Sequence, residues 1–265
     1  MKCLGKIIGI SIACAAVLQA SGYKIPEQSL SATALAAANI AAADSADASY
    51  YNPANMVWMD DGYHLEMGLT YINLPKVKFD GLDSSHSGKS KAENFLAPTG
   101  HLVTKEYYEN WRFGFSMVAP GGLSKRWQTP YAKGYAEEFT LKIIEANPTA
   151  AYKINDKLAI GFGARTVYTD GVVKSDNKGL VSRDLTGDSF DYGYNLALAY
   201  RPTNDIKLAA TYRSKVDLTV TGDAKLKYMA STYDGGASVT VPLPATLALA
   251  AAYTFDKTTL EAVYE

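Results

Sequence analysis

Residues 206–220, IKLAATYRSKVDLTV, decide the fold class. Ile206, Leu208, Ala210, Tyr212, Val216, Leu218 and Val220 share one parity, with Ser214 the exception, and Lys207, Thr211, Arg213, Lys215, Asp217 and Thr219 share the other. A β-strand sends successive side chains to opposite faces, so the stretch reads as one strand with an apolar and a polar side. It is longer than the usual 5–6 residues (roughly) of a soluble-sheet strand and covers the roughly 9–11 that a tilted strand needs to cross a bilayer.

The same alternation recurs on both sides of it. Tyr63, Leu65, Met67, Leu69 and Tyr71 alternate with His64, Glu66, Gly68 and Thr70; Trp111, Phe113, Phe115 and Met117 alternate with Arg112, Gly114 and Ser116. Further segments begin at Leu158, at Phe190, at Leu247 and at Leu260, and weaker ones cover 93–106 and 136–153. Nine strands are expected from residue 62 onward. Their connections alternate in length: short at 107–110, 153–157, 201–205 and 255–258, long and polar at 74–92, 120–135, 171–187 and 221–236. Short turns on one side and long loops on the other build an outer-membrane barrel, and a soluble β-sandwich has no reason to sort its loops so. Tyr63, Tyr71, Tyr168, Tyr192, Tyr200 and Tyr253 fall near strand ends, where an aromatic girdle meets lipid headgroups. The fold class is therefore all-β, a transmembrane antiparallel barrel.

Ahead of the strands lie two different segments. Residues 1–20 carry Lys2 and Lys6, an apolar run from Ile7 to Leu18 and small residues after it, the pattern of a signal peptide cleaved near Ala20 or Ser21. Both cysteines, Cys3 and Cys14, leave with it, so a mature chain has no disulfide and no cysteine metal site. Residues 21–61 are rich in alanine and small polar residues without alternation; helix is expected over Ala34–Ala43 and a turn at Asn52-Pro53. With 26 Lys+Arg against 27 Asp+Glu, the chain lacks the basic excess of a nucleic-acid binder. Its 48% hydrophobic content excludes a disordered protein, and beyond the first twenty residues no apolar run is long enough for a membrane helix.

Asn52-Pro53-Ala54, followed by an apolar and an acidic residue and then a barrel, resembles the FadL family (OmpP1/FadL/TodX) of outer-membrane transporters for long-chain fatty acids and other hydrophobic compounds. Ala97-Pro98, Gly161-Phe162-Gly163, Thr211-Tyr212-Arg213-Ser214 and Val241-Pro242-Leu243-Pro244 carry the likeness in order through residues 22 to 265. The resemblance implies an N-terminal hatch, here 21–61, plugging a 14-stranded barrel whose strands 1 to 9 occupy 62–265. It further implies capture of substrate in an apolar groove among extracellular loops, binding inside the barrel beside the hatch, and lateral release at a kinked third strand. Gly114 and Pro120 are the kink candidates, because glycine within a strand permits a bend. Implied partners are long-chain fatty acids or other hydrophobic small molecules, outer-membrane lipid and the barrel assembly machinery, with a monomeric protein and no nucleic acid.

Binding such compounds needs apolar surface, and cations where a carboxylate is held. Residues 171–187 offer Val172, Val173, Leu180 and Leu185; residues 221–236 offer Leu226, Tyr228 and Met229. By parity Arg165, Lys207, Arg213 and Lys215 face the lumen, where they could meet a fatty acid headgroup or pair with one another and the plug. No metal and no cofactor is expected: His64, His86 and His101 have no ligand spacing, and no G-x-S-x-G motif of a hydrolase occurs. A general porin for hydrophilic solutes is the main alternative, although a porin needs no plug, and an outer-membrane hydrolase is the remote one. At about 23 residues per strand, fourteen strands need about 320 residues after the hatch, so the chain is expected to lack roughly the last third of such a barrel and not to insert stably as it stands.

Overall fold

The computed structural model describes residues 22–265; the leader expected over 1–20, with both cysteines, lies outside the described residues. Two short helices, α1 (Leu30–Ala34) and α2 (Ala48–Tyr51), and a 3-10 turn (Pro53–Trp58) precede an antiparallel sheet. Its strands are β1 (His64–Leu74), β4 (Glu93–Val103), β5 (Trp111–Arg126), β6 (Glu138–Asn155), β7 (Leu158–Asn177), β8 (Val181–Tyr200), β9 (Ile206–Arg213), β10 (Val216–Tyr228), β11 (Ser231–Leu243), β12 (Thr246–Phe255) and β13 (Thr258–Tyr264). A small hairpin, β2 (Lys78–Phe79) with β3 (Gly88–Lys89), and helix α3 (Pro130–Ala136) sit at the outer end. The main sheet runs from β1 to β13 in chain order, with β10 and β11 set off the path beside β8.

Eleven strands amount to nine passes of the chain, because β9 with β10 and β11 with β12 are each one pass interrupted once, at Ser214-Lys215 and at Pro244-Ala245. The outer face carries what lipid would cover: Leu65, Met67 and Leu69 on β1, Phe113, Phe115 and Met117 on β5, Phe190, Tyr192, Tyr194, Leu196 and Leu198 on β8, and Leu247 and Leu249 on β12 are all exposed. The inner face of the lower half is small, with Ala151, Ala159, Ala197, Ala199, Ala209, Ala248, Ala250 and Ala252 buried. That smooth wall receives the N-terminal segment.

Four expectations change. Residues 171–187 and 221–236 are strand rather than loop: β7 and β8 run 20 residues each and meet at a tight turn where Lys178 and Gly179 have positive φ, and β10 meets β11 at Met229, also positive. These upper parts carry no sustained apolar–polar alternation in sequence, so the period of two that marks a strand is missing there. The helix expected over 34–43 stops at Ala34, and Ala36 and Ala37 take positive φ. The single strand expected over 206–220 breaks at Ser214-Lys215. Against β8, β9 pairs Arg213 with Asn195, whereas β10 pairs Thr221 with Asp188, one residue out of step. A one-residue slip moves every side chain to the opposite face. Val216, Leu218 and Val220, lipid-facing by parity, are therefore buried inside, the first two packed with Leu141, Ile143 and Val167 of β6 and β7. Lys215, expected in the lumen, is exposed beside Asp217.

Candidate functional site

The N-terminal segment lies against the inner wall and is fixed to it at several places. Asn52 Nδ2 donates to the Ile40 carbonyl at 2.9 Å while its Oδ1 accepts the Ala54 amide at 3.2 Å, and Asn55 Nδ2 donates to the carbonyls of Ile40 and Ala41. With their carbonyls held, the amides of Ile40, Ala41 and Ala42 converge on the Glu261 carboxylate of β13 at 2.8, 2.6 and 3.2 Å. Pro53 and Ala54 press on Gly161 of β7, where a Cβ would come within 2.6 Å of the Ala54 nitrogen. The Asn-Pro-Ala motif is thus a clamp, and the first glycine of Gly161-Phe162-Gly163 is the flat spot it rests on. Inside the hatch, Asp47 accepts from Ser29, Asn39 and Ser45. Burial pushes the Tyr51 hydroxyl well up, so it stays a donor to the Pro26 carbonyl.

Gly114 is also a hatch seat and not the bend. It pairs regularly with Thr149 and Val103, and a Cβ there would meet Met56 Sδ and Ser49 Cβ at 2.7 and 2.8 Å. The irregularity of β5 lies between Val118 and Gly121, around Pro120, which has no N–H to give the ladder. There the wall comes apart. β4 pairs with β5 only from Gly100↔Met117 down to Val103↔Gly114, and the two strands meet again above at Lys91 N to Arg126 O, 2.8 Å. The freed edge of β5 is taken by the start of the hatch: Lys24 bridges Gly121, Ile25 N donates to Pro120 O at 2.9 Å, Gly122 N donates to Tyr23 O at 2.8 Å, and the Gln28 carboxamide bonds both the N–H and the carbonyl of Ala119. Buried His101 Nε2 lies 2.8 Å from the Gln28 carbonyl.

Arg165 and Arg213 do face the lumen, and both are engaged. Arg165 donates through Nε and Nη2 to Glu145 Oε2 at 3.1 and 2.8 Å and through Nη1 to the Ser214 carbonyl at 2.6 Å. Arg213 grips the other Glu145 oxygen and lies 4.3 Å over the Tyr50 ring of the hatch. Two guanidinium groups on one buried carboxylate leave one net positive charge at the hatch surface. Glu145, invisible as a site in the sequence, is the centre of this cluster; its only sign there is an inward parity shared with Ile143 and Asn147 on β6.

Above the cluster, two rows higher on the same strands, is an apolar cavity of about 250 Å³. Phe139 and Leu141 of β6, Val173 of β7 and Leu185 of β8 line the wall side; Val220 and Val239 of the β10–β11 hairpin close it. Gly171, Gly187 and Gly222 stand side by side across β7, β8 and β10 and leave its floor without side chains. Of the apolar candidates, Val172, Val173 and Leu185 come together here. Leu180, Leu226, Tyr228 and Met229 do not; they are exposed at or near the strand tips. Among the described residues, no group of His, Cys, Asp and Glu gathers as a metal site.

A family model described as "Outer membrane protein transport protein (OMPP1/FadL/TodX)" matches residues 11–262. The long-chain fatty acid transport protein of Escherichia coli O6:H1 is 27% identical over 216 residues, covering 70% of this chain and 48% of that protein. The protein of the same name from Salmonella typhi is 25% identical over 210 residues, covering 69% and 47%. The chain thus spans about half the length of the curated relatives it matches. Among solved structures, a FadL homologue from Pseudomonas aeruginosa superposes with a TM-score of 0.79 at 18% identity, over 92% of this chain and 69% of that one. The toluene transporter TodX of Pseudomonas putida superposes with a TM-score of 0.61 at 18% identity, over 79% and 62%. The fold is that of a hatch-bearing β-barrel.

Proposed function

Because this chain belongs to the OMPP1/FadL/TodX family of outer-membrane transport proteins, we propose that it moves hydrophobic compounds through the outer membrane by capture at the outer strand tips, binding inside the barrel, and sideways release between β4 and β5. The observation that carries this reading is the parted wall with the hatch on its freed edge: Ile25 and Gln28 hold the backbone of Ala119 and Pro120 that β4 has left. In hydrocarbon every backbone polar group needs a partner, so a wall that parts has to be covered from within, and whatever moves the hatch opens it.

Leu180, Tyr228 and Met229, exposed at the tips, give the first apolar contact. The cavity beneath them has no cationic side chain in its lining and one carboxylate, Asp223, while the nearby arginines are committed to Glu145. It therefore takes the uncharged part of a ligand, an alkyl chain or an aromatic ring, and a fatty acid carboxylate would have to be met lower, at the net positive charge beside Tyr50. Residues 21–61 act as the gate. The protein works as a monomer, surrounded by lipid and inserted by the barrel assembly machinery, without metal, cofactor or enzymatic step.

Uptake of labelled oleate and labelled toluene by cells that express the full-length protein tests this. Uptake above that of cells lacking the protein is expected, together with raised leakage of small solutes when 21–61 is deleted. Free ion conduction by the intact protein in planar bilayers, with no binding of either compound, would instead establish a hydrophilic porin.

A further inference from the structure

The β10–β11 hairpin is folded inward. Its Val216 and Leu218 lie on Leu141, Ile143 and Val167 of the inner wall, and Val220 and Val239 roof the apolar cavity. The opposite face is mostly polar: Thr219 stands opposite Thr240, Thr221 opposite Ser238, and Lys225 opposite Asp234. Where the hairpin leaves β8, ladder pairing is missing: β8 between Asp188 and Asn195 has no strand partner on that side, and its Asp191 carboxylate accepts the Thr219 amide at 3.2 Å. Within the hairpin and between β9 and β12, by contrast, a single register runs through both halves.

We propose that this hairpin is a flap over the apolar cavity, turning as a unit about Ser214-Lys215 and Pro244-Ala245 between the in-folded register seen here and one a single residue away, in which it lies in the barrel wall. The proposal rests on the transport reading of that cavity. Three observations support it. Extending the β9 register upward restores the unbroken alternation of residues 206–220, with Val216, Leu218 and Val220 continuing the outward row of Leu208, Ala210 and Tyr212. The same apolar side chains are thus sheltered in both arrangements, on the inner wall in one and in lipid in the other, and the ladder that Thr221–Tyr228 makes with Val181–Asp188 is re-formed one residue along. The empty state also has reasons to stay closed. The wall register would set Asp217 directly opposite Asp191, and Lys225, now opposite Asp184, opposite Arg183; like charges facing across a ladder disfavour it. A ligand entering the cavity displaces Val220 and Val239 and shifts the balance toward opening.

The test uses the full-length protein in native membranes. In the wall register Ser189 and Thr219 face each other on one side of the sheet, within reach of a disulfide; in the in-folded register their side chains lie on opposite faces. The pair Ser189→Cys/Thr219→Cys is expected to cross-link slowly, and up to about fivefold faster when Asp191→Asn removes the charge clash. Leu218→Cys/Ile143→Cys is expected to lock the flap inward, lowering uptake of labelled oleate and toluene to the level of cells lacking the protein, with recovery on reduction. Quenching by nitroxide-bearing lipid of a small fluorophore on the single variant Leu218→Cys, stronger with Asp191→Asn than without, reads the same motion with no cross-link. A Ser189/Thr219 pair that never joins in either background, lipid quenching at Leu218→Cys that Asp191→Asn leaves unchanged, or full uptake through the locked hairpin overturns the flap. Formation of both disulfides in a protein whose unlocked form takes up neither compound upholds the motion and overturns the transport reading instead.

Discussion

The Glu261 carboxylate accepts the amide of Ala41 at 2.6 Å, across most of the length of the chain. Flanked by the amides of Ile40 and Ala42, it makes the ninth pass of the barrel an anchor for the hatch. Hydrogen bonds to an ionised acceptor are the stronger kind, and the loop that gives them is pre-shaped by Asn52 and Asn55. Glu261→Ala is expected to weaken hatch docking by about 2 kcal/mol, seen as faster proteolysis within residues 22–61 and greater entry of small solutes. Asn52→Ala should do the same without touching β13.

Gly161 is required by contact. The methyl group of Gly161→Ala would stand against backbone, the Ala54 nitrogen and the Pro53 carbonyl carbon, which cannot swing aside. A cost of about 1–3 kcal/mol in hatch docking follows. At Gly114 the nearest atoms belong to the side chains of Thr149, Met56 and Ser49, so Gly114→Ala should cost less. Comparing the two variants by protease sensitivity of the hatch checks the order.

Removal of the charge at Glu145 leaves two guanidinium groups facing each other in a buried site. Glu145→Ala is expected to destabilise the folded protein by about 3–5 kcal/mol, read as a lower temperature for loss of heat-modifiable gel mobility. Adding Arg165→Met to that variant should recover part of the loss, because one unpaired charge disappears.

The parted wall predicts a lock. Continued upward from Gly100↔Met117, the register of β4 and β5 would bring Ala97 opposite Pro120, and both face inward. Ala97→Cys/Pro120→Cys, once oxidised, should stop uptake of labelled toluene while leaving its binding to the purified protein intact. Equal uptake before and after oxidation would place the exit elsewhere.

The cavity floor predicts a size limit. A Cβ at Gly171 has room, with its nearest neighbour Val220 at 3.4 Å. Gly171→Leu is expected to fill part of the cavity and to reduce binding of oleate more than that of toluene, measured by competition with a fluorescent fatty acid.

Much of this was legible before folding was considered. The period of two in residues such as Leu65, Met67 and Leu69, or Phe113, Phe115 and Met117, places strands and their lipid face, because alternation is a property of one backbone and needs only a contrast between its two sides. Asn52-Pro53-Ala54 and the alanine-rich run before it mark the hatch for a similar local reason. Glu145 was not legible, since an inward carboxylate among inward residues has no signature until Arg165 and Arg213, from other strands, close on it.

The sequence by itself determined the class of protein, the nine passes and the outward aromatic face. Only the tertiary structure decided that Gly114 seats the hatch, that β5 shifts register around Pro120, that residues 171–187 and 221–236 stay in strand, and that Val216, Leu218 and Val220 turn inward. These depend on register between segments far apart in the chain, and a shift of one residue reverses a face without changing a single local preference.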